Sequence, residues 1–224
     1  ELDLGGDLPD PEADTLLQSA LHAMVLCNNA DLSRDDDVRG VGDPMELALL
    51  EAGKRAGFER EDLLGELPEV RESAFDAEVK MMATFHEQEQ GYLVAIKGAP
   101  EAVLKASTHV ASVDGPADFT DQVKSVWREK IIELAGRGLR LLALAGRKAG
   151  EKDEDPYRQM TFYGLVGLYD PPAEGVREAV GNLHEAGLRI VMVTGDHPDT
   201  ARGIGRAVGL RLERGRDVMT YEDL

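Results

Sequence analysis

Thr194, Gly195 and Asp196 follow an apolar, mostly β-branched run (Ile190, Val191, Val193) and precede a segment with Ile204 and Val208 at helical spacing. A small polar turn between a strand and a helix start aims free backbone N–H groups at an anion. Enzymes that transfer phosphoryl groups through an aspartate use a threonine at such a turn to hold the phosphate. A second set of candidates lies upstream. In "AIKGAPEAV" a strand delivers Lys97 to its end, Gly98 permits close backbone approach, and Pro100 opens a helix whose start favours anions. An ammonium there meets a phosphate or lies along a base, and it is equally an ordinary surface lysine. Phe75 ends one strand and Lys80 begins the next. An aromatic ring in that position stacks a nucleobase or joins the core. Arg140 either clamps phosphate bidentately or is a solvated arginine on an edge strand. Glu46 is accounted for by Asp43-Pro44-Met45-Glu46, a good capping box.

The elements that must position these residues follow from hydrophobic period and punctuation. Leu17, Leu21, Met24 and Val25 predict a helix in "TLLQSALHAMVLCNNA". Asp43 as N-cap, Pro44 at the first helical position and Gly57 past the last turn predict a second. Segments 69–75, 80–86 and 91–97 read as strands, the last two forming a hairpin through "EQEQG". A helix begins near Pro100, and residues 119–136 form a long amphipathic helix before the strand "LRLLALA". The stretch "GRKAGEKDEDPYRQ" is charged and aperiodic, a loop or domain junction. Beyond it, strand "MTFYGLVGLYDPP", helix 173–187, strand 188–193 and helix 198–208 imply a parallel sheet of βαβα order, too short for a complete doubly wound domain.

Twenty-five basic residues stand against 43 acidic ones, a net charge of −18, which disfavours nucleic acid and anionic membrane surfaces as partners. No apolar run approaches the roughly 18 residues of a membrane helix, and no signal peptide is evident. The single cysteine, Cys27, suits a reducing compartment.

"GDPMELALL", "FDAEVKMMAT", "IKGAPE", "GLRLLALA", "GLYDPP" and "MVTGD" occur in the order and at roughly the spacing of the P-type cation-transporting ATPases. The chain resembles that family over nearly its whole length, most of all the calcium-pump and related type-2 branch. The resemblance implies an α/β protein in two parts. Residues 1–150 would be an α+β nucleotide-binding domain with an antiparallel sheet and flanking helices. Residues 151–224 would be a partial phosphorylation domain of the haloacid-dehalogenase-like Rossmann type.

By the same resemblance Phe75 stacks on adenine, Lys97 and Gly98 line that pocket, and Glu46 hydrogen-bonds the base. Lys80 reaches the phosphates, Arg140 contacts phosphate or ribose, and Thr194, Gly195 and Asp196 line the phosphorylation site. Two positions depart from the pattern. Ala77 stands where calcium pumps often carry arginine, and Met45 replaces a threonine or serine. The family's aspartyl nucleophile belongs to an Asp-Lys-Thr-Gly-Thr motif that the sequence does not contain, and the downstream magnesium motif is also missing. The expectation is a soluble, monomeric, cytoplasm-facing piece of an integral membrane pump. ATP would be its ligand, Mg2+ would act in the intact protein, and the rest of the polypeptide would be its partner. Alone it would be catalytically inactive.

Two other readings differ in class: a haloacid-dehalogenase-type phosphatase with a large cap, and a non-catalytic nucleotide-binding module. Asp170 ends an apolar strand as a phosphatase nucleophile does, but Pro171 and Pro172 follow and supply neither a proton shuttle nor N–H donors.

Overall fold

The computed structural model describes residues 14–33, 40–195, 198–212 and 218–219. It divides into two compact units, Glu1–Lys124 with Leu142–Val166, and Ser125–Leu141 with Gly167–Leu224.

The first unit is built on a seven-stranded sheet. Strands β1 (Glu69–Asp76), β2 (Met81–Glu87) and β3 (Tyr92–Gly98) form the expected antiparallel meander. Strand β6 (Arg140–Ala149) then pairs antiparallel with β3, from Gly98 opposite Ala143 to Tyr92 opposite Ala149. The order continues through β7 (Met160–Leu168), β4 (Ser107–Val110) and β5 (Ala117–Asp118). The sheet is not wholly antiparallel, since β4 runs parallel to β7. Burial follows position. Edge strand β1 is mostly exposed, while Met81–His86 of β2 is buried throughout.

Helices α1 (Thr15–Leu26) and α2 (Pro44–Arg55) belong to the same unit. Asp14 caps α1 by accepting from the amides of Leu16 and Leu17. Leu21, Met24, Val25 and Leu26 are its buried side. Gly53 lets the two helices meet, for a Cβ there would lie 2.3 Å from Val25 Cγ2. The short helices α3 (Arg60–Glu66) and α4 (Pro100–Ala106) follow in turn, the second at the predicted place. Helix α5 (Asp121–Gly136) matches the predicted amphipathic helix. Helix α3, β4 and β5 have no counterpart in the sequence reading, because four-residue and two-residue strands and the charged "REDLLGE" carry little periodic signal.

Two expectations fail. The segment 160–168 does not open a parallel βαβα sheet; it is β7, seated between β6 and β4. Residues 188–193 are not a strand. Strand geometry needs a ladder, and here Leu188, Val191 and Val193 are exposed, Val193 at 92%. The two helices expected around that run do form, as α6 (Val176–Glu185) and α7 (Pro198–Ala207). Within the second unit α7 packs on the turn after α5. Thr200 Oγ1 donates to the Leu139 carbonyl at 3.0 Å, and a Cβ on Gly203 would lie 2.6 Å from Gly138 N.

Candidate functional site

Lys97, the next-to-last residue of β3, is only 7% exposed. A buried ammonium needs a partner, and its Nζ donates to Glu46 Oε1 at 2.6 Å. Glu46 stands in the first turn of α2, where Asp43 Oδ1 accepts from Met45 N at 2.8 Å and Glu46 N at 3.4 Å. The capping box is thus half used. Asp43 caps the helix, while the Glu46 carboxylate turns to Lys97 and away from the reciprocal cap.

Asn28, fully buried, places that carboxylate. Its Nδ2 donates to the Glu46 carbonyl at 3.1 Å and its Oδ1 accepts from Ala30 N at 2.9 Å, tying the end of α1 to the start of α2. Arg60 Nη2 in turn donates to the Asn28 carbonyl at 2.7 Å. Sequence reasoning missed Asn28; the only signal was a polar pair closing an apolar helix. Cys27, beside it, donates to the Met82 carbonyl at 3.5 Å. Burial pushes its thiol up to about 12 in spite of Lys97 nearby, so it stays protonated and inert.

Deeper in the sheet His86 Nδ1 donates to the Leu67 carbonyl at 3.0 Å, leaving Nε2 to accept from the Thr84 hydroxyl at 2.8 Å. Burial holds this imidazole neutral, down to a pKa of about 4.

Phe75 resolves its own ambiguity, for at 64% exposure it is not a core residue. The chain after it turns sharply. Asp76 Oδ1 accepts from Glu78 N at 2.7 Å and Val79 N at 3.2 Å, and the turn closes with Lys80 N donating to the Asp76 carbonyl at 2.6 Å. Lys80 closes it in the left-handed region, at φ 58°, uncommon for any residue with a Cβ. Its carbonyl accepts from Ala99 N at 2.9 Å. Gly98 has a packing reason to be glycine, since a Cβ would sit 2.5 Å from that Lys80 carbonyl oxygen. The ladder places Asp76 opposite Met81, Met81 opposite Gly98 and Met82 opposite Lys97. Phe75, Lys80, Lys97 and Gly98 therefore gather at one end of β1, β2 and β3, and the ion pair adds Glu46. An exposed ring at the same strand ends as a buried, ion-paired lysine suits a flat, partly polar ligand.

The family model described as P-type ATPase, cytoplasmic domain N, matches residues 16–175. The chain belongs to this family. The matched span of this N domain contains the whole seven-stranded sheet and ends before α6. The chain is 35% identical over 206 residues to a calcium-transporting ATPase of Bacillus subtilis, covering 89% of this chain and 23% of that protein. It is 36% identical over 200 residues to a sodium/potassium exporting P-type ATPase of Schizosaccharomyces pombe, covering 85% and 19%. It is 29% identical over 211 residues to a sodium/potassium-transporting ATPase alpha-2 subunit of Gallus gallus, covering 88% and 20%. The N-domain chain thus spans about a fifth of the length of these relatives.

The remaining candidates of this N-domain chain lie in the second unit. Arg140 is exposed at the start of β6, ahead of the first residue paired with β3, Ala143. Thr194 and Gly195 are exposed and outside any helix or strand, Asp170 is exposed, and Asp196 lies outside the described residues. Among the described residues no group of three or more His, Cys, Asp or Glu side chains could hold a metal ion. No described helix is long and apolar enough to cross a membrane.

Proposed function

We propose that the end of β1, β2 and β3 binds the adenine nucleotide of a P-type cation-transporting ATPase. The observation that carries this reading is the exposed Phe75 ring gathered with the buried Lys97–Glu46 pair at one end of adjacent strands. Phe75 offers a stacking face. Glu46 offers a carboxylate that accepts hydrogen bonds, as an exocyclic amine requires, and Lys97 its stem and charge. Lys80 serves the phosphates, the resemblance assigns Arg140 to phosphate or ribose, and Gly98 keeps the strand ends close enough for the cluster to exist. With Ala77 in place of a cation and Lys97 already paired, binding is weak, at a Kd on the order of 0.1 mM to several mM.

The same reading divides the chain into a nucleotide-binding part and part of a phosphorylation domain carrying Thr194, Gly195 and Asp196. We place the junction after β7, later than residue 150, because β7 is needed to join β4 and β5 to the sheet. In the whole pump the nucleotide domain would present ATP, with its Mg2+, to an aspartate elsewhere in the polypeptide, on the cytoplasmic side, and aspartyl-phosphate turnover would drive cation transport. This chain supplies positioning and no nucleophile.

Titration with ATP, followed by NMR, tests the assignment. Amides near Phe75, Lys80 and Lys97 should shift. Phe75→Ala should weaken ATP, ADP and AMP alike, by about 1–3 kcal/mol, while Arg140→Ala should penalise chiefly the nucleotides with more phosphates. Shifts confined to residues 167–224, or equal effects of the two substitutions on all three nucleotides, would overturn it.

A further inference from the structure

The segment joining β6 to β7 reads in sequence as a polar, aperiodic loop, yet it is tied down along its length. The Glu154 carboxylate accepts from Gly150 N at 2.7 Å, Glu151 N at 3.0 Å and Arg147 Nη2 at 2.6 Å. Led by the Arg147 guanidinium, these donors hold the carboxyl down to a pKa of about 2, so Glu154 stays charged and bonded at any ordinary pH. Across the sheet, Arg71 of β1 donates from Nη1 to the carbonyls of Lys152 and Glu154, at 2.8 Å each. Its guanidinium stands 4.6 Å from the centre of the Phe85 ring, which fixes the clamp to the buried core.

From this anchored strap Tyr157 reaches the nucleotide cluster. Its hydroxyl donates to the Met81 carbonyl at 3.3 Å. Met81 is the first residue of β2, directly after Lys80, and pairs with both Asp76 and Gly98. A hold on its carbonyl is therefore a hold on the joint between the Asp76–Lys80 turn and the strand end that carries Lys97. Lys80 needs such a hold, because its left-handed backbone relaxes readily unless its surroundings over-determine it.

We propose that Tyr157 is a positioning residue for nucleotide binding, fixing the Met81 carbonyl and through it the turn that carries Phe75 and Lys80. The proposal rests on the nucleotide reading above and adds to it a residue that touches no nucleotide. Since Lys80 belongs to the phosphate side in that reading, the loss should grow with phosphate count.

The test uses Tyr157→Phe in this chain, which keeps the ring and deletes the hydroxyl. Affinities for ATP and AMP are measured by calorimetry or NMR, together with the urea midpoint and amide exchange at Glu78–Met81 without nucleotide. The expected result is faster exchange at those amides, ATP affinity down about tenfold and AMP about threefold, with little change in the urea midpoint; tenfold corresponds to about 1.4 kcal/mol. Glu154→Gln, at the far anchor of the strap, should shift the ATP-to-AMP ratio in the same direction and by less. Tyr157→Phe with wild-type affinity for both nucleotides overturns the proposal. So does an equal loss for both that tracks a fallen urea midpoint, the mark of a merely structural strap. A wild-type chain that fails to bind ATP at all brings down the nucleotide reading and this proposal with it, whereas normal wild-type binding with an indifferent variant brings down the proposal alone.

Discussion

Two apolar runs of similar length end in opposite fates. Met81–His86 is buried throughout and paired on both sides, by β1 and by β3. The run 188–193 is richer in Ile, Val, Leu and Met, yet it is not a strand and Val193 is 92% exposed. The difference lies in the neighbours, since β-propensity measures fit to a pleated, half-buried surface rather than a preference of the isolated backbone. Within the first unit three neighbouring antiparallel pairings supply that surface, β1 with β2, β2 with β3 and β3 with β6. In the second unit the described residues supply helices, without a ladder for 188–193. Lys97 and Thr194 inherit these settings. The lysine is fixed by its ladder and by Glu46, and the threonine follows a run that no ladder among the described residues holds in strand form.

Core truncation should break the comparison most visibly. Phe85, fully buried in β2, should cost about 3–5 kcal/mol as Phe85→Ala, while Val193→Ala should stay within about 0.5 kcal/mol. Urea unfolding of the two variants measures both, and a large loss from Val193→Ala would mean that the second run is packed after all.

Acid should act on the first unit through His86. Its folded pKa of about 4 lies below its ordinary 6.5, so between those values the unfolded chain binds the extra proton. Stability from this group is fully present above pH 6.5 and is lost as pH falls toward 4, by on the order of 3 kcal/mol. His86→Gln should flatten that part of the stability–pH curve, and an unchanged slope would remove His86 as its source.

The smallest effect sharpens the comparison at the site itself. Asp43→Ala removes the cap of α2 and should cost about 1 kcal/mol. Because α2 carries Glu46 against Lys97, NMR signals of Lys97 should move with it. A stability loss with those signals unmoved would show that Asn28 alone places Glu46.

Much of the first unit was legible from local rules. Asp43-Pro44 announced α2, the alternation and turn residues of 69–98 announced the meander, and Pro100 announced α4. Lys97 and Glu46 were both legible as candidates, but 51 residues separate them in sequence and no local rule joins them. Asn28 and Tyr157 were illegible, because each acts on a backbone carbonyl far along the chain: Glu46 in one case, Met81 in the other. Strands β4 and β5 were too short to show a period, and β7, read correctly as a strand, was assigned to the wrong sheet.

The sequence by itself determined where the backbone could be helical or extended, that the chain is acidic, and which side chains have the chemistry to meet a nucleotide. These depend on residues within a turn or a strand of one another, and short-range sterics and hydrogen bonding act at that distance. Only the tertiary structure decided that Glu46 turns from its own helix to Lys97, that Phe75 stays out of the core, and that the run 188–193 lacks the ladder that makes a strand. Each of those outcomes depends on which distant segment arrives to satisfy a buried charge or an open backbone, and the cost of leaving either unsatisfied is settled only when the chain has packed.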